Sequence, residues 1–334
     1  MPTPPAVVRA ALTVVLVLLL VPAGALTVLR LTDPSAGLLV QAQAFTPFAL
    51  VPYALAVVVL GVLLARRGRR RLVPGVVAVL VLAAAGLHVS WLLPSYTGEG
   101  RDPSPAAGPG DEVVVLSTNL YFGRGDGAAV VREVAERDVD VLVASEVTPR
   151  TLAAMEDAGL DALLPHRTGR TGETYEGTMV FSAEPFQRAE PVAGTRFDNL
   201  LVRTGGLDVL AAHPAAPLDP DDWAEDHAVL LDVVVSERPD VVVGDLNATL
   251  DHAPVRALLA EGYRDGAELL NTGLTATWPV NGYFPVLGLL PPTAPIDHLL
   301  LAPGWTVTST GTVAVPGTDH LAIVATVVPS VDQG

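Results

Sequence analysis

The 334 residues contain no cysteine and no lysine, few aromatics (5%) and few charged groups (17%). Without cysteine there is no disulfide framework, no thiolate metal site and no sulfur nucleophile. Without lysine, the phosphate-gripping lysine of a P-loop and the Schiff-base amine are both excluded. All 20 basic residues are arginine, set against 36 Asp and Glu for a net charge of −16. What the chain has in excess is apolar: half of its residues are hydrophobic. Its mean hydropathy of +0.44 is too high for an ordinary soluble enzyme.

The excess and the acidity lie in different places. Residues 1–100 hold seven Arg and only Asp33 and Glu99, a net of +5, while residues 101–334 hold 13 Arg against 34 acidic residues, a net of −21. The first part reads as a transmembrane region over 1–93, with spans at about 10–29, 44–65 and 72–93, each long enough to cross a bilayer. Between the second and third spans lies Arg66-Arg67-Gly68-Arg69-Arg70-Arg71. A tight basic loop between two spans is cytoplasmic by the positive-inside rule, so the chain after Leu93 is expected outside the cytoplasm. Ala23-Gly24-Ala25 resembles a cleavage site, and a cleaved signal peptide is the other reading of span one. That reading changes the number of spans but leaves the chain after Leu93 on the same side. His88, inside the third span, is expected to be interfacial or packed. Residues 94–110 read as a Pro/Gly-rich linker, and 111–334 as the catalytic domain.

In that domain short β-branched runs alternate with helical spacing. Strands are expected at Val113–Leu116, Val139–Ala144, Thr178–Phe181, Leu200–Arg203, Leu207–Ala212, Asp240–Val243, Ile296–Leu301 and Leu321–Val328. Helices are expected at Val130–Arg137, Thr148–Ala158, Asp221–Val235 and near His252–Ala260. Hairpin and βα units together predict a layered α/β sandwich of two mixed β-sheets flanked by helices.

Six strand boundaries carry polar groups: Asn119, Glu146, His213, Asp245 with Asn247, Asp297, and Asp319 with His320. Each has a plain local explanation as a turn former, a helix-start charge or a loop histidine. Crowding all of them at strand ends is costly unless they serve one purpose.

The segments Thr118-Asn119-Leu120, Ser145-Glu146-Val147, Gly177-Thr178-Met179-Val180-Phe181-Ser182, Ala212-His213-Pro214, Gly244-Asp245-Leu246-Asn247, Ile296-Asp297-His298 and Thr318-Asp319-His320 resemble, in order, the endonuclease/exonuclease/phosphatase superfamily of metal-dependent phosphoesterases. The resemblance covers about residues 112–328 and leaves the spans unexplained. It implies that Glu146, Asn119 and Asp319 hold or organise a divalent cation, Mg2+ first, with Mn2+ or Ca2+ as alternatives. It implies further that Asp245 positions or deprotonates the attacking water, that Asn247 holds that water and a phosphate oxygen, and that His213 donates to the phosphoryl oxygens. His320, oriented by Asp297, would face the scissile phosphate, and either Asp245 or His320 serves as the base. Ser145 departs from the pattern, since many relatives carry Gln there. Trp278 is a candidate substrate contact, with a packing role as its rival. His298 is expected to be structural, and His166, His227 and His252 to lie on the surface or in loops.

The function expected is a membrane-anchored extracytoplasmic phosphoesterase acting on phosphodiester or phosphomonoester bonds of small or lipid-linked substrates, a lipid head group or envelope component among them. A net charge of −21 without a basic stripe argues against tight nucleic-acid binding. A secreted-type nuclease is the alternative, and a membrane-tethered domain that binds a ligand without turning it over is the second.

Overall fold

The computed structural model describes residues 4–65, 72–97, 112–280 and 291–330. By its internal contacts the chain divides into two units, residues 1–94 and 95–334.

The first unit is helical: α1 (Pro4–Thr32), α2 (Gly37–Gln43), a 3-10 turn (Thr46–Ala49) running into α3 (Leu50–Ala65), and α4 (Leu72–Leu92). Among the described residues three stretches, Ala6–Thr32, Thr46–Ala65 and Leu72–Leu92, are long and apolar enough to cross a membrane. Large apolar side chains such as Leu18, Val58 and Leu80 are exposed, as a lipid-facing surface requires. His88 is packed inside. Its Nε2 lies 2.9 Å from Thr27 Oγ1, which itself lies 2.6 Å from Tyr53 Oη, so the polar groups of three helices satisfy one another. The basic loop 66–71 lies outside the described residues. So does most of the expected linker, whose first residues form the short helix α5 (Pro94–Thr97).

The second unit contains β1 (Val113–Asn119), α6 (Gly127–Glu136), β2 (Val141–Ser145), α7 (Pro149–Asp157), α8 (Leu160–Leu163), β3 (His166–Gly169), β4 (Thr178–Ser182), β5 (Arg188–Pro191), β6 (Leu200–Thr204), β7 (Leu207–Ala211), α9 (Pro220–Glu237), β8 (Val241–Asp245), α10 (Ala253–Ala260), β9 (Arg264–Asp265), α11 (Gly266–Leu269), β10 (Asp297–Leu301), β11 (Trp305–Ala314) and β12 (Leu321–Pro329). They form two mixed six-stranded sheets, β11-β12-β1-β2-β4-β3 and β5-β6-β7-β8-β10-β9. Each has one parallel pair near its centre, β1 with β2 and β7 with β8. Parallel neighbours need a crossover, supplied by α6 in one case and α9 in the other. The sequence opens both helices with an aspartate cap: Asp126 accepts from Ala129 N, and Asp219 from the Asp221 and Asp222 amides.

Strand alternation divides the core in two. Val115, Val141 and Val143 turn towards Val209, Val241 and Val243 of the other sheet. Their neighbours Leu116, Leu142 and Ala144 pack under Val130, Val134 and Met155 of the helical layer. Because the central pairs are parallel, β1 and β2 finish at one edge, and so do β7 and β8. Antiparallel β10 starts where β8 ends, with Asp297 opposite Asp245. The topology therefore collects the polar strand ends at one place.

Gly244 makes the closest approach there. At φ +147° it adopts a conformation that side chains rarely take, and a Cβ would sit 1.9 Å from the Ala212 carbonyl oxygen. Gly244→Ala in the full-length chain is expected to cost roughly 3 kcal/mol, a fall in the second unit's thermal midpoint on the order of 8 °C. A midpoint equal to wild type would show that β7 and β8 do not need this approach.

Candidate active site

Asn119 ends β1 with its amide between two carboxylates. Its Nδ2 donates to Glu146 Oε1 at 3.0 Å and to Asp245 Oδ2 at 2.9 Å, while its Oδ1 accepts from Tyr121 N at 2.9 Å. Asn119 thus turns a donor, not an oxygen, to the acidic centre and organises the carboxylates around it. Glu146 follows β2 with a left-handed backbone (φ +56°), and its Oε2 accepts from Phe122 N at 2.6 Å. Burial lifts the Glu146 carboxyl to about 7. Burial raises the Asp245 carboxyl as well.

Two imidazoles face this pair. His213 Nε2 lies 3.9 Å from Glu146 Oε1 and 3.9 Å from Asp245 Oδ2. Burial pushes its pKa down to about 4, so the ring is neutral. Its backbone amide is held by Asn199 Oδ1 at 2.6 Å, and its Nδ1 is buried without a hydrogen-bond partner. His320 differs. Its Nδ1 lies 2.8 Å from Asp297 Oδ2, and its Nε2 lies 3.7 Å from Asp245 Oδ2 and 3.8 Å from Asp319 Oδ1. Burial opposes its charge, but Asp297, Asp245 and Asp319 outweigh burial and raise it to about 10. At neutral pH His320 is an imidazolium and His213 is not.

Asp319, raised by burial, accepts from Trp278 Nε1 at 3.1 Å through Oδ2, while its Oδ1 is buried without a donor. Trp278 is half-buried and touches the site through this bond. Asn247, left-handed at φ +48°, donates its backbone N–H to Asp245 Oδ1 at 2.8 Å and its Nδ2 to the Pro214 carbonyl at 3.1 Å. Thr318 Oγ1 ties the β12 approach to β1 by donating to the Asn119 carbonyl at 2.6 Å. The structure thus brings all nine sequence-selected residues into one constellation. Asn119, Glu146, His213, Asp245, Asp297, Asp319 and His320 lie in its centre, with Asn247 and Trp278 beside it.

Four carboxylates around one cationic ring leave an excess of oxygen donors, and Asp319 Oδ1 is one that no donor satisfies. That donor set fits a hard divalent cation. Asp245, Asp297 and His320 also lie close enough together to share an ion, but the 2.8 Å Asp297–His320 contact already accounts for that trio as a carboxylate–imidazolium pair.

Some of the surroundings were not anticipated. Tyr121 and Phe122, both left-handed (φ +46° and +52°), open a chain of ring contacts running through Tyr175 and Phe197 to His213, with centroid spacings of 5.1, 6.1, 4.8 and 5.2 Å. Phe122 and Tyr175 remain 40% and 41% exposed at this edge. The adjacent aromatic pair Tyr121-Phe122, two residues after Asn119, was the available signal. His227 is buried within α9, correcting the expectation of a surface or loop position, whereas His252 lies in the loop before α10 as expected but is buried there. The reason is Trp223, which lies on the same face of α9 as His227 and packs edge-on against both rings. His166 is half-buried on β3, and His298 is buried, bridging Asp265 and the Ala248 carbonyl.

Two mixed sheets flanked by helices, with an acidic and imidazole-bearing centre at their strand ends, define a phosphoesterase-type fold. The chain belongs to the endonuclease/exonuclease/phosphatase family, whose sequence profile matches residues 116–320. Similar solved structures include D. rerio TDP2 complexed with single strand DNA product (16% identity, TM-score 0.52, covering 65% of this chain and 98% of that one). An AP endonuclease from Archaeoglobus fulgidus is also similar (15% identity, TM-score 0.53, 64% and 98% covered). A functionally unknown conserved protein from Enterococcus faecalis V583 is a third (13% identity, TM-score 0.51, 65% and 100% covered). At these identities the likeness is one of fold. No curated protein matches.

The charge on His320 carries a stability consequence. A pKa raised from 6.5 to about 10 stabilises the fold fully below pH 6.5, and that contribution fades as pH rises towards about 10. Asp297→Asn removes the main cause of the shift. In chemical unfolding of the full-length chain with chelator, the wild-type advantage over Asp297→Asn should be largest below pH 6.5 and shrink steadily above it. A pH-independent difference would mean that the pair is not ionic.

Proposed function

We propose that the chain is a membrane-anchored, extracytoplasmic, divalent-metal-dependent phosphoesterase that cleaves phosphodiester or phosphomonoester bonds of small or lipid-linked substrates with an activated water. The observation carrying this reading is the Asn119 amide bridging Glu146 and Asp245, with two differently charged imidazoles each under 4 Å from Asp245.

In this reading Glu146 and Asp319 hold the cation, Mg2+ first and Mn2+ or Ca2+ as alternatives, and Asn119 fixes the Glu146 carboxylate. The bound cation would neutralise charge on the phosphoryl oxygens. Asp245 takes the proton of the attacking water, since His320 is already protonated and cannot accept one. Asn247 orients the water and a phosphate oxygen. His213 and His320 donate to the developing negative charge on the phosphoryl and leaving oxygens, and Asp297 keeps His320 charged and aimed. Trp278 restrains Asp319 and offers its ring to the substrate.

The substrate class rests on charge and on the rim. A domain at −21 repels a polyanion, while the exposed Phe122 and Tyr175 offer an apolar surface beside the phosphate position. Outward placement rests on the arginines of residues 66–71.

Asp245→Ala and His320→Ala are expected to lower kcat at least about 10³-fold while leaving the circular dichroism of the full-length chain unchanged. Chelation should abolish turnover, and added Mg2+ should restore it. Wild-type rates in both variants would refute the site. Screening the detergent-solubilised chain against phospholipids, small phosphodiesters and DNA decides the substrate, and cleavage of DNA alone would favour the nuclease reading. For topology, a reporter inserted after Gly110 should be active outside the cytoplasm, and a cytoplasmic signal would reverse the assignment.

A further inference from the structure

The loop that carries Asp245 and Asn247 into the site is gripped from behind by three buried heterocycles. Trp223 Nε1, from α9, donates to the Asn247 carbonyl at 3.0 Å. His298 Nε2, from β10, lies 2.9 Å from the Ala248 carbonyl. His252 Nδ1, at the start of α10, accepts the Thr249 backbone N–H at 2.8 Å. Three consecutive residues thus each give a backbone polar group to a different ring, and the rings come from three elements.

Their protonation follows from their partners. His298 Nδ1 lies 2.9 Å from Asp265 Oδ2, so both of its nitrogens face acceptors and both must donate. His252 accepts through Nδ1, which therefore carries no proton. The rings are themselves braced. Trp223 meets His227 and His252 edge-on at centroid distances of 5.0 and 5.8 Å, and Asp265 Oδ1 accepts from Ala267 N at the start of α11.

What they hold is strained. Asn247 sits at φ +48° two residues after Asp245, whose Oδ1 it caps at 2.8 Å. Such a conformation persists where its surroundings over-determine it, and it occurs at working sites. Aromatic heterocycles are suited to this, because each fixes a hydrogen bond with few rotatable bonds. We propose that Trp223, His298 and His252 are positioning residues that fix the 247–249 backbone and thereby the angle at which Asp245 and Asn247 enter the site. The proposal rests on the phosphoesterase reading for its consequence in catalysis, though not for its structural half.

The test uses the full-length chain in detergent. Trp223→Phe keeps an aromatic ring and removes the N–H, and His252→Ala removes the acceptor. In both, backbone amide exchange over residues 245–250, read by mass spectrometry, should quicken about tenfold while β1 and β12 keep wild-type protection. With a phosphodiester substrate, kcat should fall about tenfold and KM stay within about twofold. His252→Asn, whose Oδ1 can stand where the ring Nδ1 stood, should restore both. Wild-type exchange over 245–250 in both variants would overturn the proposal, and so would equal quickening everywhere, the mark of plain destabilisation. Local quickening in a chain whose wild type hydrolyses no phosphoester would support the grip on the loop and sink the reading of the site.

Discussion

Half-buried Glu146 and buried Asp245 bring two carboxylates to a common neighbour, and the Asn119 amide nitrogen makes that arrangement tolerable. Each oxygen it reaches gains a hydrogen bond in place of water, without which the pair would carry an unrelieved desolvation cost. The bridge also joins the two sheets, because Asn119 and Glu146 end or follow strands of one sheet and Asp245 ends a strand of the other. The site is therefore a condition on how the sandwich closes. A shift of either sheet by one residue would turn Asn119 or Asp245 to the opposite face.

The same geometry explains why the two imidazoles differ. His213 and His320 both look at Asp245 from under 4 Å, so the shared carboxylate cannot separate them. Asp297 does. It lies directly opposite Asp245 in the β8–β10 register and 2.8 Å from His320 Nδ1. His213, whose Nδ1 has no partner, is governed by burial. One sheet register thus produces a neutral ring and a charged ring beside a single carboxylate, the separation of donors and acceptors that acid–base work requires.

How far the chain could be read in advance follows from burial. The central strands were legible because both of their faces are covered: Val241–Val243 read as a strand because nothing polar interrupts them. The unanticipated strands, β3, β5, β9 and β11, are the four edges of the two sheets. Edge strands carry polar and charged residues, as Arg188–Pro191 and the Thr- and Ser-rich β11 do, and this hides their period. Apart from Trp278, the site residues were legible because each lies at or beside the end of a recognisable strand in a recognisable order. Trp223 and His252 were not, since they act through contacts between elements that no local pattern encodes. The expectation of a surface or loop position failed for His227 for this reason: a polar residue counts as surface until a buried partner such as Trp223 is known.

The acidic domain bears on substrate choice through where charge is cancelled. Many of its arginines are paired at the surface, as Arg170 is with Asp198, and Arg188 with Glu190 and Glu237. Such pairs contribute little to stability, and they leave few cations to follow a polymer backbone. On the proposed function, an anionic substrate would be met at one point, by the imidazoles and the cation that the carboxylates would hold, with any remaining affinity coming from uncharged surface. The edge beside the site supplies such a surface in Phe122 and Tyr175, and the bond from Phe122 N to Glu146 Oε2 fixes the first of them. That bond links the orientation of the rim to the carboxylate at the centre. If the proposed function holds, a substrate pressing on the rings would also bear on Glu146, and recognition of an apolar group on the ester would be coupled to the carboxylate proposed to hold the metal.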